Sequence, residues 1–152
     1  MNTLRHKGTQ GGGAGGFTLI ELIMVIVILG VLSAMALPRF VDLGGSARAS
    51  VMLGLEGSLR SAALMARSMQ LATGAGVNDN ITIAGQGIQL ASGYPTAAAV
   101  VSMMQDMSAF DVVSAGVYEH PSATTNTTCR VTYVDAANVN DGPAITNTTT
   151  GC

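Results

Sequence analysis

The hydrophobic positions along the chain change their spacing after residue 38, and the two patterns predict two halves of one long helix. From Phe17 to Leu37 the chain has 21 residues and one charged side chain, Glu21. A helix of this length spans roughly 31 Å, the thickness of the hydrocarbon core of a bilayer. The first pattern therefore predicts a membrane-spanning helix.

From residue 39 to about residue 71 the apolar residues recur every three or four positions, which indicates one face of an amphipathic helix. The predicted buried stripe consists of Leu43, Ala47, Val51, Leu55, Leu59, Ala62, Ala66 and Met69. Glu56 and Arg60 are four residues apart on the other side, in the order that favours an ion pair. Joined to the first pattern, this predicts a helix of about 55 residues that ends within residues 73–76.

Beyond this helix, short alternating runs separated by turn residues predict β-structure. Residues 81–83 and 88–90 flank Gly85-Gln86-Gly87 and predict a β-hairpin laid against the apolar face of the helix. Residues with high β-propensity predict further strands at 112–113, 117–118 and 130–134, and a last edge strand at 144–146.

Between the hairpin and these strands, residues 97–110 predict a short helix. Thr96 is its expected amino-terminal cap, and the side chains expected to point inward as core are Val100, Met103, Met104 and Met107. The predicted fold class is α+β, with a long amino-terminal helix whose second half packs against a small antiparallel β-sheet.

Charge and composition limit the partners that this chain can have. Residues 1–16 hold six glycines, a basic cluster of Arg5, His6 and Lys7, and no apolar run, which is typical of a leader. Without these residues, five arginines remain against nine acidic residues. This balance argues against nucleic acid as the main partner, because phosphate binding needs a basic face. Basic residues before the apolar run also predict a cytoplasmic amino terminus and translocation of the rest.

Glu21 is the unusual residue, because an unpaired carboxylate in hydrocarbon costs several kcal/mol. One interpretation is a carboxylate close enough to the helix end to reach the membrane interface. The residues before the apolar run favour a different interpretation. An ordinary secretory signal has its small-residue cleavage site after the apolar run, whereas here the small residues Gly15-Gly16 precede the run. Residues 16–22, Gly-Phe-Thr-Leu-Ile-Glu-Leu, resemble the type III (prepilin) signal of type IV pilins and pseudopilins. Residues 36–43 are similar to those of mannose-sensitive haemagglutinin (MSHA) pilins in particular.

This resemblance implies a role for particular residues. A prepilin peptidase would cut after Gly16 and methylate the new amino terminus at Phe17, and Glu21 would guide docking into a filament. Gly30 and Pro38 stand where the family tends to weaken the helix. The expected domains are a leader (1–16), a transmembrane and filament-core helix (17–38) and a globular head (39–152).

The resemblance also implies partners and a location. The partners would be other pilin subunits, the peptidase, the pilus assembly machinery and, before assembly, the membrane. The precursor is expected in the bacterial inner membrane and the assembled pilus outside the cell, where attachment to surfaces is its expected role. The alternative is a pseudopilin of a type II secretion system.

The two cysteines, Cys129 and Cys152, would reach an oxidising compartment, where a disulfide is the preferred interpretation. Two free thiols or an intermolecular pair are the alternatives. Asp135 and residues 138–143 hold enough oxygen ligands for a calcium loop, although turn chemistry explains them better. Calcium here would favour the pseudopilin, and the disulfide would count against it.

The remaining candidate residues suggest no further chemistry. His120 stands alone and is interpreted as a solvated loop residue. Neither a catalytic constellation nor a metal site is expected, no cofactor is expected, and the chain is predicted not to be an enzyme. Three glycosylation sequons, at Asn80, Asn126 and Asn147, are interpreted as chance matches in a threonine-rich chain.

Overall fold

In the part of the chain that the structure describes, one long helix precedes all the strands. The computed structural model describes residues 16–152, with the backbone alone for residues 37–42; the predictions for the leader, apart from Gly16, fall outside this part. Helix α1 (Leu19–Thr73) has 55 residues. It ends at Gly74, whose φ of +67° is the left-handed conformation that stops helices, and this confirms the predicted end. The chain divides into two compact units between Phe40 and Val41.

Seven strands follow α1 and form two antiparallel sheets. The three-stranded sheet has the order β1-β2-β3 and consists of β1 (Asn80–Ile83), β2 (Gln86–Ala91) and β3 (Tyr94–Pro95). The four-stranded sheet has the order β4-β5-β6-β7 and consists of β4 (Asp111–Ser114), β5 (Val117–Glu119), β6 (Arg130–Val134) and β7 (Ala144–Thr148). The α+β class is confirmed, with two small sheets where one was predicted.

Two tight turns join the three strands of the β1-β2-β3 sheet. Ala84 and Gly85 have φ values of +49° and +83°, as a two-residue hairpin turn requires, and they join β1 to β2. The predicted hairpin is confirmed, but its turn was expected at Gly85-Gln86-Gly87, and Gln86 and Gly87 instead pair with β1 as the first residues of β2. Ser92 and Gly93 repeat this geometry with φ values of +54° and +84° and join β2 to β3. Strand β3 was not predicted, although a Ser-Gly pair between apolar runs is a turn signal.

The buried face of α1 differs from the predicted stripe at both ends. Leu55, Leu59, Ala62 and Ala66 are buried as predicted. Four other members of that stripe are exposed: Leu43, Ala47, Val51 and Met69. A spacing of four residues overshoots one helical turn by about 40°, so three such steps rotate a side chain by about 120° away from the core.

Neighbouring residues replace the exposed members of the stripe. Met52 is fully buried, and Gln70 is 5% exposed at the other end. The Gln70 amide donates to the main-chain oxygen of Ala75 and accepts a hydrogen bond from Arg67 at 2.9 Å. A polar residue therefore completes the buried face where the chain leaves the helix.

Two groups of buried side chains hold the sheets on α1. The larger group lies against the four-stranded sheet and contains Met52, Leu55, Leu59, Ala62, Ala63, Val100, Tyr118, Cys129, Val131, Tyr133 and Ile145. The smaller group lies against the hairpin and contains Ala66, Ile81, Ile88 and Leu90. The prediction that the hairpin packs on the apolar face of the helix is confirmed.

The predicted helix at 97–110 is wrong, because only a short 3₁₀ helix (Val100–Met103) forms. The predicted Thr96 cap is also wrong, because Ala99 precedes this helix and no side chain caps it. The Thr96 hydroxyl accepts a hydrogen bond from the Ala99 N–H at 3.2 Å in the turn before the helix. The helix then stops at Met104, which is extended, and the Asp106 carboxylate accepts the Ser108 N–H at 2.8 Å. Such a side-chain bond to the nearby backbone competes with helix formation.

The inward orientation predicted for this segment is largely correct. Val100 is fully buried, and Met103, Met104 and Met107 are half-buried against the larger core group. The apolar pattern therefore predicted which side chains pack inward, although the backbone that carries them is mostly irregular.

Two buried tyrosines of the core are expected to respond differently to loss of the hydroxyl. The Tyr133 hydroxyl donates to the Pro95 carbonyl at 2.7 Å, whereas among the described residues the Tyr118 hydroxyl is buried without a partner. Burial raises the pKa of Tyr118 to about 12. Tyr133→Phe should lower the free energy of unfolding by about 1–2 kcal/mol, because it leaves a buried carbonyl unpaired, and Tyr118→Phe should change it by less than about 0.5 kcal/mol. Urea unfolding of both variants in detergent measures this, and equal losses would contradict it.

Candidate processing and assembly site

The peptide bond between Gly16 and Phe17 lies outside α1, in non-helical backbone. Phe17 is 90% exposed. A side chain at position 16 would meet no atom within 4 Å, and the residue does not adopt the left-handed conformation that favours glycine. The fold of the subunit therefore does not require a glycine at this position.

Thr18 and Glu21 form a capping box at the start of α1. The Thr18 N–H and hydroxyl both donate to Glu21 Oε2, at 2.9 and 2.8 Å. The Glu21 N–H donates in return to the Thr18 hydroxyl at 3.3 Å. This reciprocal pair satisfies backbone donors that would otherwise be unpaired at a helix start.

This capping role of Glu21 was not predicted. The signal was Thr-x-x-Glu directly before an apolar run, which is the sequence signature of a capping box. The cap explains why a carboxylate can stand at this end of an apolar helix, because its charge is partly satisfied within the subunit. The cap occupies only one oxygen of the Glu21 carboxylate. Both Thr18 donors go to Oε2, and among residues 16–152 Oε1 has no hydrogen-bond partner. Glu21 is exposed, so a second donor can reach this oxygen.

The helix that starts at this cap has the length and composition of a membrane span. Residues 19–36 have a mean hydropathy of 2.7, and none of their side chains is buried within the subunit. Large apolar residues such as Leu19, Met24 and Met35 are 75%, 61% and 72% exposed. A single subunit therefore leaves this surface uncovered, and in water that surface requires a lipid or protein partner.

The backbone of α1 is helical through both Gly30 and Pro38. A side chain at position 30 would meet no atom within 4 Å, so the fold does not require a glycine there. The expected weakening of the helix at these two residues stays a prediction. Unwinding of this stretch on assembly would appear in a filament as broken helical hydrogen bonding between residues 27 and 40.

The predicted disulfide between Cys129 and Cys152 is present, with a Cα–Cα distance of 4.8 Å. Cys129 is fully buried in the larger core group. Gly151 exchanges backbone hydrogen bonds with Thr125 and Thr128, at 3.1 and 3.0 Å. Arg48 of α1 donates to the main-chain oxygen of Cys152. The last residues are therefore fastened to the segment that precedes β6 and to α1.

The carboxylates of the oxygen-rich loop after β6 accept hydrogen bonds from within the subunit, one from a distant segment and one from the same turn. The Asp135 carboxylate accepts the Ala97 N–H at 2.6 Å, and the Asn138 amide donates to Asp141 at 3.0 Å. Within residues 16–152, no three His, Cys, Asp or Glu side chains come together as a metal site. The two carboxylates thus serve different partners, which agrees with turn chemistry. His120 also has a local role, because its Nδ1 accepts the Ser122 N–H at 3.2 Å.

The sequons differ in accessibility. Asn80 is exposed at the start of β1 and Asn126 is half-buried, whereas both polar atoms of the Asn147 side chain are buried. The folded chain therefore blocks modification at Asn147.

Comparisons with known proteins agree with the geometry of this site. The family described as the prokaryotic N-terminal methylation motif matches residues 13–37. A 49-residue stretch is 53% identical to the type IV narrow pilus major component PilA5 of Thermus thermophilus. That stretch covers 32% of this chain and 42% of the relative. No solved structure matches the chain.

The chain thus carries an amino-terminal methylation motif, and over part of its length it is related to a type IV pilus component. The alignment spans less than half of the curated relative. The specific resemblance to MSHA pilins stays a prediction.

Proposed function

We propose that this protein is the structural subunit of a type IV pilus. The observation that carries the proposal is the start of α1, where an exposed Gly16–Phe17 bond, a capped Glu21 and an uncovered apolar helix follow one another. Each of these features serves a different step: cleavage, docking and packing. Together they fit a protein that is stored in a membrane and then polymerised.

In this proposal a prepilin peptidase cuts after Gly16 in the inner membrane. The cut creates a cationic amine on Phe17, which the same enzyme methylates. The new amine and the carboxylate of Glu21 on a neighbouring subunit then neutralise each other in an apolar setting. The capping box supports this pairing, because Glu21 Oε1 is left available for the neighbour while Oε2 keeps the helix start in place.

Two observations favour a pilus over the pseudopilus of a type II secretion system. The disulfide fastens the end of the chain, and the two carboxylates of the oxygen-rich loop accept hydrogen bonds from within the subunit. Both agree with the expectation that pilins use a disulfide where major pseudopilins use calcium. Surface attachment outside the cell is the role proposed for the assembled fibre.

The proposal predicts that subunits in sheared surface filaments begin at N-methylated Phe17. Electron microscopy identifies the filaments, and mass spectrometry of their subunit reads its first residue. Subunits that still carry residues 1–16, or the absence of this chain from the filaments, would contradict the proposal. A Gly16→Leu variant is the matched control, because the fold leaves space for that side chain while the cleavage position is changed.

A further inference from the structure

Three methionines line two adjoining cavities of the Val41–Cys152 unit. The larger cavity, of about 790 Å³, is a groove between α1 and residues 103–106. The smaller one, of about 310 Å³, extends to the β1-β2 hairpin. Met65, Met103 and Met104 line both cavities. The two cavities therefore meet at these three side chains, which we call the methionine cluster.

Packing in the core does not account for the whole methionine cluster. Met65 is 59% exposed on α1, and Met103 and Met104 are half-buried. Met52, on the same helix, is by contrast fully buried, as a methionine of the core is expected to be. The cluster therefore keeps part of its surface open to a ligand that enters the groove.

Two separate segments bring the methionine cluster together. Met65 comes from α1, whereas Met103 is the last residue of the 3₁₀ helix and Met104 is the extended residue after it. The Met104 N–H donates to the Val101 carbonyl at 2.9 Å, which holds the backbone at this change of conformation. A methionine side chain is unbranched and has three rotatable bonds. The three sulfur atoms can therefore turn toward one point between the two segments.

The chemistry of the groove favours a soft cation. A thioether sulfur is a soft ligand that suits Cu⁺, whereas Ca²⁺ and Mg²⁺ prefer oxygen. Within residues 16–152, no three His, Cys, Asp or Glu side chains come together, so the groove offers no site to harder ions. Asp106 is the charged residue in the lining of the larger cavity. Hydrogen bonds from Ser108 hold the pKa of the Asp106 carboxyl below its usual range, so this group is anionic at neutral pH and attracts cations.

We propose that Met65, Met103 and Met104 bind one Cu⁺ ion through their thioether sulfur atoms. Thioethers carry no proton, so this binding releases none, unlike binding to thiols. Both cysteines of the chain are in the disulfide and do not compete as thiolates. The site was not predicted from the sequence, where the methionines of residues 97–110 were interpreted as core. It goes beyond the proposed function and does not depend on it, and assembly into a fibre would repeat the site in every subunit.

Titration of the full chain in detergent with Ag⁺ tests the inference, because Ag⁺ shares the ligand preference of Cu⁺ and is stable in air. Calorimetry should find a single tight site per chain, and Cu⁺ supplied without oxygen as its acetonitrile complex should compete for it. Nuclear magnetic resonance of isotope-labelled methionine methyl groups should show shifts at Met65, Met103 and Met104. Displacement of Ag⁺ by equimolar Zn²⁺, or shifts confined to other methionines, would overturn the inference.

Met65→Leu removes one sulfur atom and keeps the size and apolar character of the side chain, a change that costs little stability. The affinity for Ag⁺ should fall by at least about tenfold, because one of three ligands is lost. Met104→Leu should cause a similar loss. Met69→Leu is the matched control, because Met69 also lies on α1 and is 39% exposed but lines neither cavity, and it should bind like the native chain.

Unchanged affinity in both Met65→Leu and Met104→Leu, or an equal loss in Met69→Leu, would show that the methionine cluster is not the site. Neither result bears on filament formation. The proposed function is tested in sheared filaments, so the two proposals can fail separately.

Discussion

Glu21→Ala is expected to reduce the yield of surface filaments by about tenfold or more, while the subunit still folds and enters the membrane. The alanine removes the carboxylate that would pair with the amine of a neighbouring Phe17. A charge-assisted contact of this kind contributes about 1.5–3 kcal/mol, and tenfold in an equilibrium corresponds to about 1.4 kcal/mol. The Val41–Cys152 unit does not include Glu21, so its stability should not change. Electron microscopy of sheared filaments and membrane fractionation measure the two effects.

Two further variants separate the charge of Glu21 from its role as a cap. Glu21→Gln keeps an oxygen that can accept the Thr18 N–H but loses the charge, so it should assemble as poorly as Glu21→Ala. Thr18→Val removes the hydroxyl of the capping box and keeps both the charge and the Thr18 N–H. It should therefore assemble much better than either Glu21 variant. Native filament yield from Glu21→Gln would refute the charge pair and assign Glu21 to the cap alone.

Replacing Cys129 and Cys152 by alanine is expected to lower the free energy of unfolding by about 3.4 kcal/mol. The two residues are 23 positions apart, and the estimate is the loop-closure entropy that such a crosslink removes from the unfolded chain. Domains of this size are stable by only about 5–15 kcal/mol, so the loss is a large share. Urea unfolding in detergent, with and without a reducing agent, measures it.

The double alanine variant should lose the same stability as the reduced native protein. Reducing agent should not change the free energy of unfolding of the variant, so the variant controls for effects of the reducing agent other than breaking the disulfide. Amide exchange should rise first in residues 149–152, because without the disulfide only their backbone hydrogen bonds and the contact of Arg48 with Cys152 hold them. If the variant unfolds at the native urea concentration, the disulfide does not stabilise this fold.

Local patterns predicted the elements whose geometry depends on nearby residues. The end of α1 at Gly74 and the hairpin of β1 and β2 depend on a few adjacent residues, and both were predicted, although the turn lies at Ala84-Gly85 and not at Gly85-Gln86-Gly87. The helix at 97–110 failed because a local side-chain contact, Asp106 to Ser108, competes with the helical backbone, and an apolar pattern does not report that contact. The capping box was readable in the sequence and was missed, since Glu21 was considered only as a charge in a membrane.

Some features of the candidate site could likewise be predicted from the sequence, and others depend on the tertiary structure. The sequence by itself determined the glycine before the apolar run, the single charge within that run and the two cysteines, because these are properties of composition and order along the chain. Only the tertiary structure decided that Cys129 lies next to Cys152, that Met52 and Gln70 replace Val51 and Met69 in the core, and that residues 103–106 form a groove with α1. Each of these depends on which surfaces meet after the chain folds back on α1, and contacts between residues distant in sequence leave no periodic signal in either segment.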